Sequence, residues 1–124
     1  MKEAIISYKK AIAFNPKHYW AMNKLAHIYL LSEDPSIHSI DKAFAMAKNA
    51  CELSYYRQAS VIKTLAMVYS EQRKFSKAVE IAMDASRLAE QNDDLVLATK
   101  IKNEIALYKQ QKSITEGIVR KRKM

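Results

Sequence analysis

Small and flat side chains recur in three segments of the chain, at spacings of four and then three residues. This spacing places the residues of each set on one face of an α-helix. Small residues on such a face let a neighbouring helix approach closely. The three sets are Ala4, Tyr8 and Ala11; Ala43, Ala47 and Ala50; and Ala78, Ala82 and Ala85.

A second helical pattern lies between these segments and occurs twice. Each copy has a large apolar residue, a leucine three positions later, an alanine directly after it and a tyrosine three positions further on. The copies are Met22-Leu25-Ala26-Tyr29 and Ile62-Leu65-Ala66-Tyr69. Because the two patterns alternate along the chain, they predict successive helix-turn-helix units.

The alternation predicts six helices. Asn15-Pro16 ends the first helix, because the residue before proline avoids the α region. Asp41 and Ser76 stand where helix N-caps are expected. Either Asp93 or Asp94 is the expected cap of the last helix. The predicted helices are Lys2–Phe14, Tyr19–Leu31, Asp41–Leu53, Ala59–Glu71, Ser76–Glu90 and Asp94–Lys112.

These patterns resemble the tetratricopeptide repeat family, whose 34-residue repeat reads W-x2-L-G-x2-Y, then A-x3-F, then P. Met22 to Ala50 is similar to one repeat, Ile62 to Ala85 to the next, and Ala4 to Pro16 to the second half of an earlier one. The resemblance covers roughly residues 1–90. It implies an all-α superhelix, an α-solenoid of antiparallel helix pairs, closed by a C-terminal capping helix.

The sequence departs from the family pattern in three places. Ala26 and Ala66 replace the usual glycine, and Arg73 occupies a turn where glycine is frequent. Residues 32–39 are longer than the family's turn requires, which places the two full repeats about forty residues apart. This insertion and a long last helix resemble the C-terminal end of many bacterial tetratricopeptide arrays.

The resemblance divides the chain into a helical-repeat domain and a tail. The domain is expected to span residues 1–112, and residues 113–124 are expected to form a basic, flexible tail. Within the domain, residues 1–16 are the half repeat, 17–54 the repeat with the enlarged loop, 55–91 the next repeat and 94–112 the capping helix.

Composition supports a helical chain of ordinary hydrophobicity. Among 124 residues there are one glycine and two prolines, which disfavours hairpin-rich folds and phosphate-binding loops. The lone Cys51 cannot form an internal disulfide, and no segment reads as a signal peptide or a membrane span. These features favour a cytoplasmic location.

The sequence offers no recognisable catalytic constellation. We find no nucleophile elbow, zinc-protease motif, glycine-rich phosphate loop or Cys-x-x-Cys pair. His18, His27 and His38 are scattered, so that neither a metal site nor a cofactor is predicted. We interpret Cys51 as an inert buried thiol rather than a nucleophile.

A concave groove is the candidate site that the resemblance implies. In this family the first helix of each pair lines the groove, which suits extended peptides. Asn23 can bond a peptide backbone, Lys63 can meet a carboxylate, and Met67 adapts to varied apolar side chains. The alternatives are that Trp20 covers a loop, that Lys63 is solvated and that Met67 packs between helices. The expected groove residues are Trp20, Asn23, His27, Lys63, Met67 and Ser70.

The first helix raises a second possibility. Its stripe of Ala4, Tyr8 and Ala11 has no preceding helix to cover it. Such a stripe is typical of an interface. A longer array, a homodimer or a folded-back C-terminal region could each supply the cover.

These features predict a non-catalytic protein-interaction module or scaffold with a peptide or protein partner. The alternative is nucleic-acid or anionic-surface binding, because the net charge is +8 and residues 120–123 read Arg-Lys-Arg-Lys. A third possibility is that the chain is the recruitment segment of a larger enzyme.

Overall fold

Helices account for almost the whole chain in the computed structural model, which describes residues 1–123 and the side chains of residues 1–118. The described backbone contains seven helices and no strand. It is therefore all-α, as the alanine spacing predicts. The helices are α1 (Lys2–Phe14), α2 (Tyr19–Leu31), α3 (Ile40–Leu53), α4 (Ala59–Glu71), α5 (Phe75–Gln91), α6 (Leu95–Lys109) and α7 (Ile114–Lys123).

Helix packing follows chain order from α1 to α6, with each helix against the next. The connections are short, and short connections join antiparallel neighbours. In addition, α4 contacts both α2 and α6. Helices α2, α4 and α6 therefore form one layer and α1, α3 and α5 a second, the architecture of a tetratricopeptide-like helical solenoid.

The alanine seams form the contacts between the layers. Ala43, Ala47 and Ala50 are completely buried, as are Ala78 and Ala85. The middle of the core is α4, in which every residue from Val61 to Ser70 is buried. A helix that is enclosed on all sides has mostly apolar or small residues around its circumference, and the buried charge of Lys63 is paired with Glu104.

Four successive helices each end at a residue other than glycine that has a left-handed backbone conformation. Arg73, with φ of 63°, follows α4, and its N–H donates to the Ser70 carbonyl while the Lys74 N–H donates to the Tyr69 carbonyl. This pair of hydrogen bonds is the Schellman motif. Tyr55, Asp93 and Gln111 have the same role after α3, α5 and α6.

Two of the predicted N-caps are wrong, and one is confirmed. Ser39 caps α3 by accepting from the Lys42 N–H, which leaves Asp41 in the first turn. Ser76 also lies inside its helix, since α5 begins at Phe75. Asp94 caps α6, where its carboxylate accepts from the Leu97 N–H at 3.1 Å.

The C-terminal region differs from the predicted long helix and flexible tail. The helix predicted to end at Lys112 ends at Lys109, and Gln111, with φ of 58°, turns the chain. Residues 114–123 then form α7, which packs on α4 and α6. The cause is local, because Ser113 and Glu116 cap a new helix whose first residue, Ile114, is buried.

No helix among residues 1–123 combines the length and apolarity needed to cross a membrane.

Candidate interaction groove

Four helices enclose a cleft of about 550 Å³ beside α4. Three of the predicted groove residues, His27, Lys63 and Met67, come together there. The contributions from α6 and α7 were not predicted from the sequence. The lining consists of His27, Leu31, Lys63, Met67, Lys100, Asn103, Glu104, Leu107, Ile114, Gly117 and Ile118.

Lys63 lies at the base of this cleft in a buried ion pair. Its Nζ is 3.2 Å from Glu104 Oε2 and 3.2 Å from Met67 Sδ. Burial lowers the pKa of Lys63, whereas the Glu104 carboxylate acts in the opposite direction. Lys63 therefore lines the cleft as one half of a buried ion pair and is not the solvated lysine that the sequence left as an alternative.

His27 is held by the neighbouring helix. Its Nε2 lies 2.9 Å from the Thr64 hydroxyl, which itself donates to the Ser60 carbonyl at 3.1 Å. Because the Thr64 hydroxyl hydrogen is donated to the Ser60 carbonyl, the His27 ring is the donor in its hydrogen bond with Thr64. Burial and the charges of Lys63, Lys24 and Lys100 lower the pKa of His27 to about 4, so that the imidazole is neutral at pH 7.

Trp20 and Asn23 lie nearer the start of α2 and do not line the cleft. Trp20 is 42% exposed, and its ring tilts against Tyr19 with a centroid distance of 5.4 Å. Asn23 is buried, and its Oδ1 has no hydrogen-bond partner within the part of the chain that the structure describes. Asn23 precedes His27 by one helical turn, which places both on the same side of α2.

Ser70 is fully buried because α7 covers it. Its hydroxyl donates to the Met67 carbonyl at 2.7 Å and accepts from the Ile114 N–H at 3.1 Å. The neighbouring Glu71 accepts from the Thr115 N–H at 2.8 Å. The end of the groove predicted at Ser70 is thus occupied by α7.

A capping box orders the start of α7. Glu116 accepts from the Ser113 N–H at 3.1 Å, and the Ser113 hydroxyl accepts from the Glu116 N–H at 3.2 Å. Glu116 also forms an ion pair with Arg73 after α4. The Ser-x-x-Glu spacing is readable in the sequence and could have revealed this helix.

The stripe on α1 is not the uncovered surface that the sequence suggests. Ala4, Tyr8 and Ala11 are half-buried, since α1 packs on α2. The large apolar side chains that α1 leaves open are Ile6, at 52% exposure, and Phe14, at 94%. Self-association through the stripe stays a prediction.

The remaining candidates are the lone cysteine, the potential metal ligands and the basic C-terminal residues. Cys51 is fully buried with its Sγ 3.7 Å from the Val61 carbonyl oxygen, and burial raises the pKa of its thiol to about 12. Across residues 1–123, no three His, Cys, Asp or Glu residues are placed to hold a metal ion. The predicted basic surface at Arg120 to Lys123 falls on side chains outside those that the structure describes.

Comparison with known proteins gives one match. Residues 7–48 match a family model described as tetratricopeptide repeat, a segment that contains most of α1, all of α2 and most of α3. No curated protein and no solved structure matches the chain.

Proposed function

We propose that this chain is a non-catalytic module that binds a peptide or partner protein, because residues 7–48 match the tetratricopeptide repeat family, whose repeats generally serve as protein-interaction modules. The proposed site is the groove formed by α2, α4 and α6. The proposal depends on the cleft along these helices, whose lining combines apolar and hydrogen-bonding side chains.

The apolar part of the cleft comes from three helices. Leu31 of α2 and Leu107 of α6 are half-buried in the lining, and Met67 of α4 is buried there. Apolar walls with a few polar groups are typical of ligand-binding clefts. Such walls suit a partner that inserts aliphatic or aromatic side chains.

The polar part offers cationic and amide groups to a peptide. Lys100 and Asn103 on α6 are exposed at the cleft. These side chains can meet a carboxylate and the carbonyl and N–H groups of a peptide backbone.

The test compares partner capture from a native lysate by three forms of the full chain. The groove variant carries Trp20→Ala and Lys100→Glu, both at exposed positions. The matched control removes an aromatic ring and reverses a lysine elsewhere, with Tyr55→Ala and Lys77→Glu. We expect the control to capture the same proteins as the wild type, and the groove variant to lose them without a change in helicity or melting. Equal capture by all three forms would reject the groove as the site.

A further inference from the structure

Helix α7 lies against the candidate groove instead of extending the array. Helices α2 to α6 each pack along the preceding helix, whereas α7 contacts α4 in addition to its predecessor α6. Ile114 and Gly117 are buried in this position, and Ile118 is half-buried. The three residues also line the cleft that His27, Lys63 and Met67 share. The chain thus places a helix of its own against the surface proposed for a partner.

The end of α4 receives the first turn of α7. Two backbone N–H groups of α7, those of Ile114 and Thr115, donate to the side chains of Ser70 and Glu71. The first turn of any helix has N–H groups without partners inside the helix, and negative charge is favourable there. Ser70 and Glu71 therefore bind a helix N-terminus in this structure.

The side of α7 that faces α6 packs closely on Leu107 at Gly117. A Cβ atom added to Gly117 would lie 2.6 Å from Leu107 Cδ1, so a larger residue there would have to displace the Leu107 side chain. The apolar residues Ile114 and Ile118 are four positions apart and share a helix face with Gly117. The helix that fits here has a hydroxyl cap, an apolar residue directly after it, glutamate at the third position, glycine at the fourth and an apolar residue at the fifth.

The attachment of α7 is suited to exchange. Its ten residues are too few for a stable helix in isolation. Its ordering therefore depends on the hydrogen bonds to α4, the ion pair of Glu116 with Arg73 and the burial of Ile114. The short link from Gln110 to Ser113 keeps α7 at a high effective concentration beside the groove.

We propose that α7 is a resident occupant of the groove, and that the partner segment is an amphipathic helix that carries the same pattern and displaces it. This inference rests on the proposed function and specifies its ligand. The partner helix has Ser or Thr as its cap, an apolar residue next, Glu three residues after the cap, Gly after the Glu, and a second apolar residue. Displacement frees Ser70 and Glu71 to cap the incoming helix.

The test measures binding of a fluorescein-labelled synthetic peptide with the sequence of residues 112–124. Anisotropy titrations use the full chain as wild type and as two variants that release α7, Gly117→Leu and Ile114→Glu. The control is Val96→Glu on α6, an apolar-to-acid change at a residue that is 84% exposed. We expect both release variants to bind the peptide at least about tenfold more tightly than the wild type or the control, since they have no tethered competitor. A peptide with the same glycine-to-leucine change should not bind.

Hydrogen exchange shows whether the release variants stay folded. Amides of residues 114–118 should lose protection while those of α4 keep it, which shows release of α7 from an intact groove. Equal peptide affinity for all forms, or no binding to the released chains with α4 protected, would overturn the inference. A wild-type dimer that exchanges α7 between copies, detected by light scattering, would also overturn it.

Failure of this inference is separable from failure of the proposed function. If no form binds the peptide while the Trp20→Ala, Lys100→Glu variant still loses its captured partner, the groove binds a different kind of ligand. If the released chain binds the peptide, the groove binds a helix whatever the lysate contains.

Discussion

Lys63 Nζ lies 3.2 Å from Glu104 Oε2, and the two side chains are only 7% and 11% exposed. The pair joins α4 to α6 across the base of the groove. Taking two charges out of water is costly, and their attraction offsets that cost only while both are present. Removal of either partner therefore has a larger effect than removal of both.

The first prediction concerns Glu104→Ala. This change leaves the Lys63 ammonium buried without its carboxylate, and we expect the free energy of unfolding to fall by about 3–5 kcal/mol. Urea denaturation measures this loss. The control is the double variant Lys63→Met, Glu104→Leu, which should recover most of the stability because no charge remains buried. A double variant that is less stable than Glu104→Ala would contradict this account.

The second prediction concerns pH and His27. The pKa of His27 is lowered from 6.5 to about 4 in the folded chain by burial and nearby lysines. Between these values the unfolded chain binds a proton that the folded chain does not. The contribution of neutral His27 to the free energy of unfolding is therefore complete above pH 6.5. It is lost as the pH falls towards 4, which lowers the free energy of unfolding by up to about 3 kcal/mol.

His27→Gln is the variant that tests this slope, since glutamine can still donate to Thr64. Its unfolding free energy should change less between pH 6.5 and 4 than that of the wild type. His38→Gln serves as the control and should keep the wild-type slope. The attribution to His27 fails if the two variants behave alike.

The third prediction uses the left-handed turn after α5. Asp93 has φ of 58°, a conformation that costs a residue with a Cβ atom about 1–2 kcal/mol but is free of strain for glycine. We expect Asp93→Gly to raise the free energy of unfolding by about 0.5–1 kcal/mol. The relieved strain is larger than the cost of the greater entropy that glycine gives the unfolded chain. Asn92→Gly, at φ of −92°, should give no gain. Equal urea midpoints for Asp93→Gly and the wild type would show that the turn is not strained.

The fourth prediction concerns the reactivity of Cys51. Burial raises the pKa of this thiol to about 12, and the side chain is fully buried. Because only the thiolate reacts, we expect labelling by iodoacetamide at pH 8 to be at least about a hundredfold slower in the folded chain than in urea. Ser76→Cys places a thiol at an exposed position and should label rapidly in the folded state. Fast labelling of Cys51 in the native chain would contradict its burial.

Local features of the sequence were sufficient to predict most of the helices. The set of Ala43, Ala47 and Ala50 predicted a buried seam on α3, and all three residues are completely buried. Asn15-Pro16 predicted the end of α1, which ends at Phe14. These predictions succeeded because helix periodicity and helix termination depend on residues three or four positions apart.

The groove was predicted only in part. His27, Lys63 and Met67 line one cleft, as their positions in the repeat imply. The predicted role of Lys63 was incomplete because its partner, Glu104, lies on another helix pair and nothing near Lys63 indicates it. Residues 114–123, predicted as a tail, form α7 instead, although Ser113 and Glu116 already have the spacing of a capping box in the sequence.

What periodicity alone determines here is that the chain forms short helices with alanine seams, because each seam repeats within one or two turns of a single helix. Only the folded arrangement decides which side chains meet in the groove. Ser70 and Ile114 are 44 residues apart, and His27 and Thr64 are 37 apart. Such pairs depend on how successive helices stack and where α7 turns back, which is set by packing across the whole core rather than by neighbours in the chain.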